Sequence, residues 1–126
     1  MRRRDTAARK RAHVFGMRAE TIAAVWLRAK GYRILDRRYI VKGGELDIVA
    51  ARGETLAFVE VKARDSLYDA AFAIDEIKRR RVSRAARVGL ARNPWSAGWT
   101  WRGDAVFIAP WRLPRHVVEA YTLDID

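Results

Sequence analysis

A chain of 126 residues, half of them hydrophobic, is long enough for one domain with a buried core and too short for two. The absence of cysteine excludes disulfides and thiolate metal sites. With only two histidines, His13 and His116, little is left for zinc, so any metal is expected on oxygen ligands. The formal net charge of +11 is unevenly spread: residues 1–42 carry +10, residues 43–77 carry −5 and residues 78–126 carry +6. Such a chain is expected to meet polyanions at its periphery and divalent cations at its acidic centre. The plainer reading is a surface that simply favours arginine. No run approaches the ~20 apolar residues of a membrane span, so the expectation is a cytoplasmic protein without a membrane partner.

In chain order, residues 1–12 are strongly basic and poor in apolar groups, and read as a flexible arm preceding a single domain over residues 13–126. From His13 to Lys30, Phe15, Ala19, Ile22 and Trp26 recur at helical spacing and predict an amphipathic helix that Gly31 ends. Glu20 lies beside that stripe, next to Ala23 and Leu27. Tyr32–Ile40 reads as a first strand, and Lys42-Gly43-Gly44 turns the chain into a hairpin over Gly43–Arg64. Residues 65–73 are a loop with Asp69 as a candidate N-cap. A second helix is expected over Ala73–Ala91, with Ile74, Ile77, Val82, Ala85 and Gly89 on its apolar stripe, Lys78 on the same stripe, and Arg80, Arg84 and Arg87 on the solvated side. Asn93-Pro94 breaks it. Trp101–Ala109 alternates as a strand, with Asp104, Val106 and Ile108 facing one way, and Val117–Leu123 is a candidate final strand. The predicted order is αβββαβ with an optional edge strand.

The hairpin carries the chemistry. If its turn centres on Gly53-Glu54, partner numbers sum to 107, which sets Asp47 opposite Glu60 and Glu45 opposite Lys62. On the second arm Leu56, Phe58, Glu60 and Lys62 share one face and Ala57, Val59, Val61 and Ala63 the other. Both faces are apolar enough to predict a central, doubly covered strand, in which Glu60 and Lys62 are costly to bury without partners. Phosphodiester hydrolysis calls for a cation to offset the phosphate charge and activate water, and Mg²⁺ takes one or two carboxylates beside water and phosphate. Asp47, Glu60 and the Val61 carbonyl are the candidate ligands, and Lys62 the candidate catalytic cation. The competing reading is a cross-strand salt-bridge cluster of Glu45 and Asp47 with Lys62 and Arg64. Arg79-Arg80-Arg81 is a helix face able to contact phosphates. Trp95, Trp99 and Trp101 read as core filling more readily than as stacking platforms for bases. His13 and His116 receive no role.

Glu45-Leu46-Asp47 and Glu60-Val61-Lys62 resemble the Asp…Glu-x-Lys signature of the PD-(D/E)xK nuclease superfamily, the restriction-endonuclease-like fold. More narrowly, Phe15-Gly16, Ala19-Glu20, Gly31-Tyr32-Arg33-Ile34-Leu35, Gly44-Glu45-Leu46-Asp47, Phe58–Arg64 and Arg102-Gly103-Asp104 resemble the YraN-like family, over roughly residues 13–110. The resemblance implies an α/β core whose mixed sheet has helices on both faces, similar to Holliday-junction resolvases. It implies Mg²⁺ or Mn²⁺ as cofactor on Asp47 and Glu60, with Lys62 assisting catalysis. Glu20, Glu45 and Lys78 become auxiliary candidates, and Arg64, Arg79, Arg80 and Arg81 candidate contacts to nucleic acid, DNA before RNA. A homodimer, as in junction-cutting relatives, is a candidate assembly. A nucleic-acid-binding module of the same fold without turnover is the alternative. One departure is Arg37-Arg38-Tyr39, which lacks the Asn that often precedes the aromatic in this family.

Overall fold

A computed structural model describes residues 18–64 and 76–123 of the chain. The expected basic arm, the 65–73 loop with Asp69, and Phe15 and Ile74 of the two helical stripes lie outside the described residues. Helix α1 covers 18–29 within that range. Then follow β1 (Arg33–Val41), β2 (Gly44–Arg52), β3 (Thr55–Ala63), α2 (Glu76–Arg92), a short 3-10 turn at Pro94–Ser96, β4 (Thr100–Ile108) and β5 (Arg115–Tyr121). The strands form one five-stranded sheet in the order β1-β2-β3-β4-β5. Of the described strands only β3 and β4 run parallel, joined by the crossover that holds α2. The fold is α/β with a mixed sheet and a helix on each face, consistent with a restriction-endonuclease-like core. The candidate edge strand is real, and the order is αβββαββ.

The doubly apolar β3 lies at the centre of the sheet, and its two faces sort into two cores. Ala57 and Val59 join Ile48, Ala50, Val106 and Ile108 beneath Ala19, Ala23, Ala24 and Leu27 of α1. Leu56 and Phe58 join Leu46 and Ala51 beneath Val82, Ala85 and Ala86 of α2. The helical stripes are rotated from the expected ones. Ile22 is exposed and Trp26 half-buried, because the alanines of α1, rather than its large side chains, let the helix lie close on the sheet. Ile77 is exposed as well, since Lys78, about 100° further round the helix, takes the inward place at that turn. Trp101 packs on Phe58 with ring centroids 4.8 Å apart, as core filling requires, whereas Trp95 stays more than half exposed against the edge of Trp99.

The turn between β1 and β2 is pressed onto α2. A Cβ at Gly44 would stand 2.8 Å from the Arg81 carbonyl oxygen and 2.9 Å from the Ala85 nitrogen, both backbone atoms that cannot swing aside. Gly44→Ala is therefore expected to lower stability by about 1–3 kcal/mol, read as a drop in the urea midpoint at constant slope. A midpoint matching wild type would mean that the helix and turn are not held this closely.

Candidate active site

The acids are positioned by a coordinated break in two strands. Ile48 lies in the core beneath α1 and Leu46 in the core beneath α2, although residues two apart on a regular strand share a face. Asp47, between them, is where β2 reverses. The facing strand reverses at the matching place: Arg37 reaches Glu20 on the α1 side, Tyr39 packs in the α2 core, and Arg38 between them has φ of 54°. A left-handed arginine costs on the order of 1–3 kcal/mol and persists where its surroundings over-determine it.

The hairpin register is the one expected from a turn at Gly53-Glu54, running from Arg52↔Thr55 to Ile48↔Val59. There the ladder ends, short of the expected Asp47–Glu60 and Glu45–Lys62 oppositions. In its place Asp47 Oδ2 accepts the Val61 N–H at 2.8 Å. The N–H and C=O of one extended residue point to the same side of a strand, so the Val61 carbonyl faces this break rather than the β4 ladder.

Glu60 is fully buried on the α2 side of β3. Neither of its carboxylate oxygens has a hydrogen-bond partner of good geometry among the described residues. Its close charge contact is Lys78 Nζ, 3.2 Å from Oε2. Burial, reinforced by the Asp47 charge, pushes the Glu60 carboxyl up to about 7 despite the nearby lysines. Burial also raises Asp47, opposed by the Val61 N–H and Lys78 and assisted by the charge of Glu20. Lys62 is buried at the end of β3, and burial together with the adjacent Lys78 pulls its ammonium down to about 8. Burial acts on Lys78 in the same direction, but Lys62, Glu60 and Asp47 outweigh it and hold that ammonium above its ordinary value.

Asp47, Glu60, Lys62 and Lys78 thus form one electrostatic unit, built from the hairpin and the first turn of α2. Glu45 lies at its rim and pairs with α2 rather than with Lys62: Arg81 Nη1 is 3.4 Å and Lys78 Nζ 3.9 Å from its Oε1. Glu20 is nearly buried and is held by Arg37 and Arg38, each Nε 3.1 Å from a carboxylate oxygen. Its charge reaches Asp47, but its oxygens are engaged elsewhere. Among the phosphate-contact candidates, Arg79 and Arg80 pair with Glu76 on their own helix, Arg81 leans on Glu45, and Arg64 Nη1 donates to the Ala63 carbonyl.

The donor set suits a hard divalent cation. Two carboxylates, both raised in pKa by burial and one of them without a hydrogen-bond donor of good geometry among the described residues, lie beside the Val61 backbone. Among the described residues no group of three or more acids or histidines gathers closely enough to hold a metal by itself. Two carboxylates completed by water and phosphate oxygens is the arrangement that Mg²⁺ favours.

A second polar cluster, with no role assigned from sequence, holds β4 to β5. Asp104, fully buried, accepts Arg102 Nε and Nη2 at 2.8 Å and the Glu119 N–H at 3.2 Å, and His116 Nε2 lies 2.7 Å from its Oδ2. Arg102 Nη2 also donates to the Tyr32 hydroxyl at 2.6 Å. Alternation of Arg102 and Asp104 on one strand was the available signal. His116 lies beyond a turn, where strand periodicity gives no guide.

The family model described as "Uncharacterised protein family UPF0102" matches residues 19–108. A UPF0102 protein of Methylobacterium nodulans is 56% identical over 122 residues, covering 95% of each chain. That of Methylorubrum extorquens is 55% identical over 121 residues, covering 95% of this chain and 94% of the relative. That of Methylocella silvestris is 54% identical over 121 residues, covering 96% and 98%. The matched span takes in Glu20, the β2–β3 hairpin with its acids, and Lys78. The chain belongs to the uncharacterised protein family UPF0102, the YraN-like family that its hairpin motifs resemble.

Proposed function

We propose that the chain is a divalent-cation-dependent nuclease that hydrolyses phosphodiester bonds, in DNA before RNA. The observation that carries this reading is Glu60: a fully buried carboxylate with no hydrogen-bond donor of good geometry on either oxygen among the described residues, beside Asp47 and two lysines. A salt-bridge cluster built for stability would supply such a carboxylate with donors, because an unsatisfied buried charge is expensive. Asp47, Glu60 and the Val61 carbonyl would hold Mg²⁺ or Mn²⁺, which neutralises phosphate charge and acidifies water.

The remaining roles belong to the chain itself. The Val61 N–H fixes the Asp47 carboxylate. Lys62, held near pH 8 by burial and by Lys78, can exchange a proton with the attacking water close to neutral pH. Lys78 carries the permanent charge that balances Glu60 and the anion developing on the phosphate. Glu45, at the rim, pairs with Lys78 and Arg81.

The test is cleavage of a panel of single-stranded, duplex, flap and four-way-junction DNA, with RNA counterparts, in Mg²⁺ or Mn²⁺ and in chelator. Cleavage that needs the cation and is lost in Asp47→Ala is the expected result. A panel left uncut under both cations overturns the reading. Lys62→Met is expected to reduce the rate by roughly 10²–10⁴-fold, with substrate affinity in chelator unchanged. An equal loss of affinity would make Lys62 a binding residue instead.

A further inference from the structure

The outer face of α2, treated above as the solvated side, meets the β1–β2 turn along a cleft of about 350 Å³ lined by Gly43, Arg80, Arg81, Ser83, Arg84 and Arg87. All four arginines are exposed, and Arg80, Arg84 and Arg87 follow one another at i, i+4 and i+7. Like charges at this spacing oppose helix formation by a few tenths of a kcal/mol per pair. Among the described residues Arg80 pairs with Glu76 and Arg81 with Glu45, both toward the start of the helix.

The cleft is built rather than incidental. Gly43 has φ of 76°, and a Cβ there would lie 3.0 Å from Arg84 Nε, so the turn leaves room for the guanidinium to lie across it. Arg84 Nε donates to the Lys42 carbonyl at 2.7 Å, which anchors the cation in place. Arg81 of the cleft is also linked to the acid site, since Arg81, Glu45, Lys78 and Glu60 are joined by successive charge contacts of 3.4, 3.9 and 3.2 Å.

We infer that Arg80, Arg84 and Arg87 form a track for the phosphate backbone of one nucleic-acid strand, leading it toward Glu45 at the rim of the acid site. The inference rests on the nuclease reading for what lies at the end of the track, though the track binds without turnover. From Arg80 to Arg87 the helix rises about 10.5 Å, about three phosphate steps along a strand with one charge per roughly 3.4 Å of axis. Recognition is through charge and backbone, without base selection. Arg79, half-buried and bonded to Glu76 and the Thr122 carbonyl, stands apart from it.

The experiment measures binding of a 20-nucleotide single strand and a 20-base-pair duplex to the full chain, in chelator, across a salt series. Arg84→Gln/Arg87→Gln is compared with Arg112→Gln/Arg115→Gln, which removes equal charge from the β4–β5 connection and the start of β5, and with Arg84→Lys/Arg87→Lys. The α2 glutamine variant is expected to flatten the plot of log K against log salt by about 1.5, from ~0.7–0.9 per lost phosphate contact. The β4–β5 variant is expected to keep the wild-type slope, and the lysine variant to recover most of it with an unchanged melting temperature. Equal slopes for the two glutamine variants, or no binding by wild type, overturn the track. If the slope shifts but wild type cuts nothing with either cation, the track stands and the nuclease reading fails. If wild type cuts and the slope does not move, the reverse holds.

Discussion

Glu60→Gln is expected to make the cation-free protein more stable at pH 8 while removing its response to Mg²⁺ and its cleavage. The stability effect follows from linkage. The Glu60 carboxyl titrates near 7 in the fold against an ordinary value of 4.5, so the folded state prefers the protonated form. Folding stability therefore falls as pH rises from about 4.5 to 7, and the penalty is complete above 7. Its ceiling is on the order of 3 kcal/mol. Glutamine keeps the shape of the protonated acid and carries none of this penalty. The substitution also takes an anion from Lys78, but that lysine retains partial solvent access and its contact with Glu45, so the loss is the smaller effect. Thermal melts in chelator should show the variant above wild type by several degrees at pH 8 and level with it at pH 5.

Saturating Mg²⁺ at about 100 times its dissociation constant would raise wild-type stability by about 2.7 kcal/mol and leave the variant unmoved. Cleavage should fall by at least ~10³-fold, since the several kcal/mol that a bound cation gives a transition state is worth tenfold per 1.36 kcal/mol. A variant less stable than wild type at pH 8 would show that Glu60 is a satisfied structural anion, and the metal reading would lose its main support.

Much of this site could be read from the chain because its position depends on short-range rules. Two alternating apolar arms and Gly53 fix the hairpin register, and the two-faced apolar pattern of β3 places Glu60 in the middle of the sheet. The parts that escaped depend on departures from regularity. Strict alternation carries the ladder past Asp47, whereas β1 and β2 both reverse face there around Arg38, and no propensity marks an arginine with positive φ. Helical spacing put Ile22 and Ile77 inward because it weighs hydrophobicity. Packing instead favoured alanines where α1 meets the sheet and gave the turn above the acids to Lys78. Glu20 was correctly placed beside the stripe, but its two arginine partners lie 17 and 18 residues further on, across a turn and a strand.

Asp104→Ala is expected to be the most destabilising of the single substitutions considered, at about 3–5 kcal/mol. The comparison with Glu60 shows why two buried carboxylates on adjacent strands behave oppositely. Burial works against the Asp104 charge too, but His116, both Arg102 donors and the Glu119 N–H outweigh it and hold the carboxyl below 3.8. A depressed acid contributes stability above its unfolded value, and that contribution is lost as pH falls through the folded one. Removing the side chain leaves the largely buried Arg102 guanidinium without its main anion and releases β5, whose remaining ties to β4 include a register shift between Gly103 and Ala105. Urea unfolding at pH 7 should show the midpoint drop, with Asp104→Asn intermediate because an amide accepts on only one of its two terminal atoms. Below pH 4 the wild-type advantage should shrink, since protonation then does to Asp104 what the substitution does. At a temperature where Asp104→Ala remains folded, cleavage per folded molecule should match wild type, because Asp104 bonds to β4 and β5 and to none of Asp47, Glu60 or Lys62. A pH-independent deficit would mean that volume rather than charge is what Asp104 supplies. Loss of cleavage in the folded variant would join the two clusters into one functional unit.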